Sequence, residues 1–213
     1  MENIFSTLWK YKPQGDINPE ENYFTESFKF ILGIDSLFCK KFVKFVSKKS
    51  LKAPFKLESQ IIYGNSIIDL QITDKCGKKL LIEIKVGARQ NIDINENGNN
   101  FGQIEKYLNL KKGTVCFIER DPHNLDKKIL KNDNFTGHYV WSEIYELLNN
   151  HLQAANPTNT TVKYLEESFL KFMQQKNMMP FKKFTEKDVQ IAPLVPDLYE
   201  RLEKFLNYAK QSQ

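Results

Sequence analysis

The chain has 213 residues, 41% hydrophobic and 27% charged, with 31 Lys and Arg against 26 Asp and Glu for a formal charge of +5. That length suits one sizeable domain with a small appendage, and the 16 Phe supply core volume. The positive excess suits a polyanionic partner but is too mild to argue for one, and no apolar run nears the ~20 residues of a bilayer span, so no membrane partner is expected.

Met1 to Ile17 is mixed in character and reads as peripheral. A helix start follows, with Asn18 as N-cap, Pro19 in the first helical position and Glu21 three residues after the cap. Phe24, Phe28, Ile31 and Leu32 recur at helical spacing and are expected to face the core. A second helix is predicted from about Asp35, with Phe38, Phe42, Phe45 and Val46 buried and Lys40, Lys41, Lys44, Lys48 and Lys49 on its wet face. Past Pro54 the period changes to two, predicting strands over Phe55 to Tyr63, Ser66 to Thr73 and Lys79 to Val86. Turn residues in Asp74 to Gly77 make the last two an antiparallel hairpin.

Asn91 to Asn100, rich in Asn and Gly, predicts a loop. Phe101 to Leu110 reads as a helix and Thr114 to Glu119 as a short apolar strand. Asp121 to Asn134 connects onward with a helical patch around Leu125 to Leu130, then His138 to Trp141 predicts a last strand and a helix runs through Leu152. Ala154 to Thr161, with Pro157, reads as a linker. An amphipathic helix over Val162 to Asn177 follows, with Leu165, Phe169, Phe172 and Met173 on its apolar side. Pro180 to Pro196 is irregular, and Leu198 to Ala209 is a final helix. This order predicts an α/β fold with a mixed central sheet flanked by helices. One domain is expected over residues 1–153, and a linker with a helical C-terminal extension over 154–213, packing on the core, a second copy or a partner subunit.

The chemistry concentrates on the hairpin Ile68-Asp69-Leu70 and Ile82-Glu83-Ile84-Lys85. Alternation sets Asp69 on the polar side of one strand, and Glu83 with Lys85 on the polar side of the next. With Thr73 facing Lys79 across the turn, Asp69 lies opposite Glu83, their Cβ atoms only ~5 Å apart. Two carboxylates so close repel, and a hard divalent cation such as Mg²⁺ or Mn²⁺ resolves the conflict. Lys85 would stand beside the bound nucleophile and offset phosphate charge.

Asp, thirteen residues and then Glu-x-Lys resembles the active-site hairpin of the PD-(D/E)XK nucleases, with Ile68 where the motif's name has a proline. Gln103-Ile104-Glu105-Lys106-Tyr107 is similar to the Gln-x-x-x-Tyr motif of the helicase-associated branch. Pro19 to Glu26 resembles the first-helix segment that supplies a further acid in many members; Glu21 is the better placed candidate, Glu26 being offset from the apolar stripe. Glu166 to Phe184 is similar to the tail of prokaryotic members, with no site residue assigned there. The resemblance covers about Asn18 to Leu152. It implies a restriction-endonuclease-like core and Mg²⁺-dependent hydrolysis of DNA, less often RNA, in restriction, phage defence or repair. It also implies catalytic Asp69, Glu83, Lys85, Glu21 and Gln103; metal ligation by Asp69, Glu83, the Ile84 carbonyl and Glu21; and nucleic-acid contacts from Lys40, Lys44, Lys48, Arg89 and Tyr107.

The same residues have plainer readings. Asp69, Glu83 and Lys85 would also suit a solvated face with ordinary charge pairs, Glu21 a capping box with Asn18, Gln103 a bond to backbone and Tyr107 simple packing. A non-enzymatic binding or assembly module on the same fold is the main alternative. His123, His138 and His151 are isolated from one another and from any Cys pair, so no zinc site is expected. Cys39, Cys76 and Cys116 suggest no disulfide framework, and the N-terminus reads as no signal peptide, so a cytoplasmic setting is expected.

Overall fold

The computed structural model describes residues 3–9, 19–87, 92–94, 100–121, 124–154 and 159–180, together with 201, 202, 204, 205 and 208. Two compact units divide the chain, Met1–Met178 and Met179–Gln213. In the second unit the described residues 201, 202, 204, 205 and 208 are helical.

The first unit is α/β. Its helices are α1 (Ile4–Trp9), α2 (Pro19–Ile34), α3 (Ser36–Val46), α4 (Gln103–Leu110), α5 (Lys127–Leu130), α6 (Trp141–Ala154) and α7 (Thr160–Gln175). Its strands are β1 (Lys56–Tyr63), β2 (Ser66–Thr73), β3 (Lys79–Lys85), β4 (Ile92–Ile94), β5 (Asn100–Gly102), β6 (Thr114–Glu119) and β7 (Phe135–Val140). The main sheet runs β1-β2-β3-β6-β7, antiparallel from β1 to β3 and parallel from β3 to β7. The crossover from β3 to β6 carries α4, as a parallel connection requires.

Alternation along β3 divides the core in two. Leu80, Ile82 and Ile84, with Leu70, Ile72, Cys116 and Ile118, face α2, α3, α6 and α7. Leu81, Val115 and Phe117 face Ile104, Tyr107 and Leu108 of α4. The first side is strongly aromatic: the Phe24 ring lies 4.6 Å from Trp141 and 5.4 Å from Phe169 between centroids, and Phe5 lies 5.4 Å from Phe169. All four α2 residues predicted for the core, Phe24, Phe28, Ile31 and Leu32, are buried.

Several sequence expectations need revision. The N-terminal stretch is not peripheral, because α1 sends Phe5 into the aromatic core. Asn91 to Asn100 is not loop throughout, since Ile92–Ile94 pairs antiparallel with β5 as a short ribbon. Phe45 is exposed, its ring 5.1 Å from Tyr139, because the buried stripe of α3 runs through Phe38, Cys39, Phe42, Val43 and Val46. The last strand begins three residues early at Phe135, and Trp141 opens α6 instead of closing the strand. Of the alternatives for the C-terminal extension, α7 takes packing on the core: it lies in the first unit, with Phe169 and Phe172 fully enclosed.

Candidate active site

The β2–β3 hairpin positions the site. Asp74 builds its turn: one carboxylate oxygen accepts the Cys76 and Lys78 amides, both at 2.8 Å, and Gly77 takes the left-handed φ of +79°. The pairing that results joins Thr73 to Lys79, Ile72 to Leu80 and Leu70 to Ile82. Continuing that register sets Asp69 opposite Glu83, but the backbone ladder stops at Leu70. The Ile84 amide instead donates to Asp69 Oδ2 at 2.8 Å. Asp69 thus wedges the two strands apart while satisfying the orphaned amide. The N–H and C=O of a strand residue leave on the same edge, so the Ile84 carbonyl faces this same gap.

Lys85 lies two residues beyond Glu83. Its Nζ stands 2.8 Å from Glu83 Oε1 and 3.3 Å from Glu21 Oε2, the latter supplied by the first turn of α2. Glu21 rides on the helix whose Phe24 and Phe28 are locked in the core, so its placement follows from aromatic packing. Glu26 is exposed and pairs with Lys29 at 2.5 Å. The backbone of Lys85 is held from the other side of the sheet, its carbonyl accepting the Trp141 Nε1–H at 3.2 Å.

Burial decides the electrostatics. Glu83 is fully enclosed, Lys85 is 6% exposed and Glu21 8%, whereas Asp69 is half-buried and forms the open side. Burial, then repulsion from Asp69, pushes the Glu83 carboxyl up to about 8 against the pull of Lys85. Burial likewise raises Asp69, opposed by the Ile84 amide and Lys85, and raises Glu21, opposed by Lys85. For Lys85 burial alone would favour the neutral amine; Glu83, Glu21 and Asp69 outweigh it and hold the ammonium above its ordinary range. The group is therefore a fixed positive charge at neutral pH.

The α4 motif supports this floor. The Tyr107 hydroxyl donates to the Ile67 carbonyl and lies beside Glu83 and Asp69, whose charges, after burial, raise it. At 1% exposure Tyr107 has no surface to offer a nucleic acid, contrary to the expectation for it. Gln103 opens α4 with its side-chain oxygen buried and without a hydrogen bond. Gln60, unmarked in the sequence reading, stands opposite Asp69 by the β1–β2 register, in the left-handed region at φ +53°, its side chain helping to hold the Asp69 carboxyl down. Its only sequence signal was a polar residue in an otherwise alternating strand.

The predicted basic contacts scatter. Lys40 and Lys44 are exposed on α3. Lys48 is not beside the carboxylates: its ammonium donates at 3.1 Å to the carbonyl of Phe135, which pairs with Val115 at the opposite end of the parallel strands from Lys85. Strand spacings put that point roughly 16 Å from Lys85. Arg89 and the Asn18 cap lie outside the described residues, as does His123. His138 pairs with Glu119 at 2.6 Å, and His151 meets Asp35 at 2.8 Å.

Comparison with protein families, with curated proteins and with solved structures returned no match. Among the described residues no helix is long and apolar enough to cross a membrane.

As a donor set, Asp69, Glu83, Glu21 and the Ile84 carbonyl offer only hard oxygens, the choice of Mg²⁺ or Mn²⁺. Glu83 Oε1 faces the Lys85 ammonium at 2.8 Å, while Glu83 Oε2 and Glu21 Oε1 are buried without a hydrogen bond. Buried carboxylate oxygens left in that state want either a proton or a cation. The donor chemistry is therefore of the kind a hard divalent ion takes, although the only three acid or imidazole groups whose donor atoms lie within 4.8 Å of one another among the described residues are those of Asp35, His151 and Glu166.

Proposed function

We propose that this chain is a metal-dependent phosphodiesterase acting on DNA, built on a restriction-endonuclease-like core of the PD-(D/E)XK kind. The observation that carries the reading is Asp69 opposite Glu83 at a hairpin that splays open, with a fixed ammonium 2.8 Å from Glu83. Asp69, Glu83, Glu21 and the Ile84 carbonyl would hold Mg²⁺ or Mn²⁺. Such an ion, when bound, polarises the scissile phosphate and lowers the pKa of its water.

The remaining work falls to the chain's own groups. Lys85 is too firmly protonated to serve as a general base. It orients the attacking water by donating hydrogen bonds and offsets charge that accumulates on the phosphate. Asp69, on the open side, meets the incoming phosphodiester first. Gln103, with a free side-chain oxygen, accepts from Lys85 or from the nucleophile and so fixes its direction. Lys40 and Lys44 add a weak long-range attraction for the backbone.

One observation favours a second reading. Glu83, Lys85 and Glu21 are nearly enclosed, as in a module that binds nucleic acid or a partner without cutting. Cleavage of matched DNA and RNA in Mg²⁺ by the wild type, Asp69→Ala and Lys85→Ala decides between them. The phosphodiesterase reading expects both variants to lose cleavage. Equal cleavage by all three proteins rejects the site. No cleavage and no Mn²⁺ heat in calorimetry of the wild type favours the binding module, and faster turnover of RNA reassigns the substrate.

A further inference from the structure

Three residues outside this site converge from separate helices. Asp35 caps α3 through one oxygen, which accepts the Leu37 and Phe38 amides at 2.7 and 2.9 Å. Its other oxygen lies 2.8 Å from His151 Nε2 on α6. Glu166, on α7, brings Oε1 to 3.9 Å from the same nitrogen. One donor atom from each residue lies within 4.8 Å of those of the other two.

The burial is severe and the charges do not balance. Glu166 is fully enclosed, His151 is 1% exposed, and neither Glu166 oxygen accepts a hydrogen bond from a nitrogen or hydroxyl donor. Among the described residues His151 is the only basic group within ion-pair distance of either acid. Asp35 stays ionised: burial opposes this, but the Phe38 amide and His151 prevail. Burial, the Asp35 charge and a hydrogen bond between the two carboxyl groups raise Glu166 to about 7. A fully buried carboxyl, a part-exposed carboxylate and one imidazole are short of positive charge, a deficit that a bound cation or a retained proton would meet.

We propose that Asp35, His151 and Glu166 form a second cation site, taking one ion of the zinc class and pinning α3, α6 and α7 together. One imidazole nitrogen and two carboxylate oxygens suit Zn²⁺ or Co²⁺ better than Mg²⁺, which prefers an all-oxygen shell with several waters. Three protein ligands leave a fourth position for water. Asp35, part-exposed at the end of α2, provides the access route. With the ion on Nε2 the ring proton moves to Nδ1, which has no partner. The outer hydrogen bond that normally orients a ligating ring is therefore missing, which weakens affinity by about 10–100-fold relative to a fully supported site.

The test uses the full-length chain, chelator-stripped, titrated with Co²⁺ and then Zn²⁺ by visible absorption and calorimetry, beside Glu166→Gln and His151→Ala. Glu166→Gln is isosteric and removes an enclosed charge, so it keeps the fold even if His151→Ala does not. The wild type should show a tetrahedral Co²⁺ band that Zn²⁺ bleaches, and a higher Tm in Zn²⁺ than in chelator. Glu166→Gln should bind one equivalent fewer, or at least about tenfold more weakly, and lose the Tm rise. The proposal is overturned by wild type that shows no band and no Zn²⁺-dependent Tm. It is equally overturned if Glu166→Gln matches the wild type in both. A Glu166→Gln chain more stable than wild type by the same margin with and without Zn²⁺ assigns the cluster to a shared proton instead.

Discussion

Titrating the metal-free protein with Mn²⁺ at fixed pH should expel a proton, and its amount follows from one side chain. Burial and Asp69 hold Glu83 at about 8, so the carboxyl carries a proton at neutral pH in the metal-free chain. More of that proton is retained at pH 7 than at pH 9. A ligating carboxylate must be bare, so Mn²⁺ binding releases the retained fraction. Calorimetry at pH 7 in buffers of differing ionisation enthalpy reads the number directly. Below pH 8 the apparent affinity should fall about tenfold per pH unit, ~1.4 kcal/mol each. Folding carries the matching sign. A carboxyl raised from 4.5 to about 8 contributes stability that is complete below pH 4.5 and lost as pH rises through 8. Its full size is on the order of 5 kcal/mol. Urea midpoints in chelator should therefore drop between pH 5 and 9, and Glu83→Gln should flatten the profile. Mn²⁺ binding with no proton released at pH 7 would refute the reasoning, as would an affinity indifferent to pH between 6 and 8.

Lys85→Met should cut DNA at least about 10²-fold more slowly while binding Mn²⁺ as well as the wild type, because the ammonium stabilises charge without ligating; single-turnover cleavage and calorimetry separate the two, and activity within a few-fold of wild type would refute it. Trp141→Phe deletes the 3.2 Å bond to the Lys85 carbonyl and should cost about 1–3 kcal/mol in urea unfolding. Gly113→Ala would place a Cβ 2.4 Å from the Lys79 carbonyl oxygen, forcing β6 away from β3. About 1–3 kcal/mol of lost stability is expected, and an unchanged melting curve would show that the strands do not approach so closely.

The hairpin was legible because its determinants are local. Period-two alternation sorted Asp69, Glu83 and Lys85 onto one side, and Asp74 with Gly77 fixed the turn, so the Thr73–Lys79 register could be read directly. Glu21 was legible in part, since its position one turn before Phe24 puts it at the end of the core stripe. For Lys48 helical periodicity reveals a wet face but not which end of the sheet that face overlooks. Tyr107 was misread as reachable, since an i, i+4 pair says two residues share a side and nothing about what covers them. Gln60 escaped notice because backbone handedness at one strand residue leaves no mark in composition. The Asp35, His151 and Glu166 cluster was invisible: its members are 116 and 15 positions apart, and only tertiary packing of three helices brings them together.

The aromatic block that backs Glu21 has a consequence for synthesis. The hairpin with its carboxylates leaves the ribosome well before α7, yet Phe24 rests on Phe169 and Phe172 from that late helix. Until those rings arrive, α2 has an uncovered flank and its acid has no settled address. Glu21 thus takes its place beside Lys85 only as the last helix of the first unit docks.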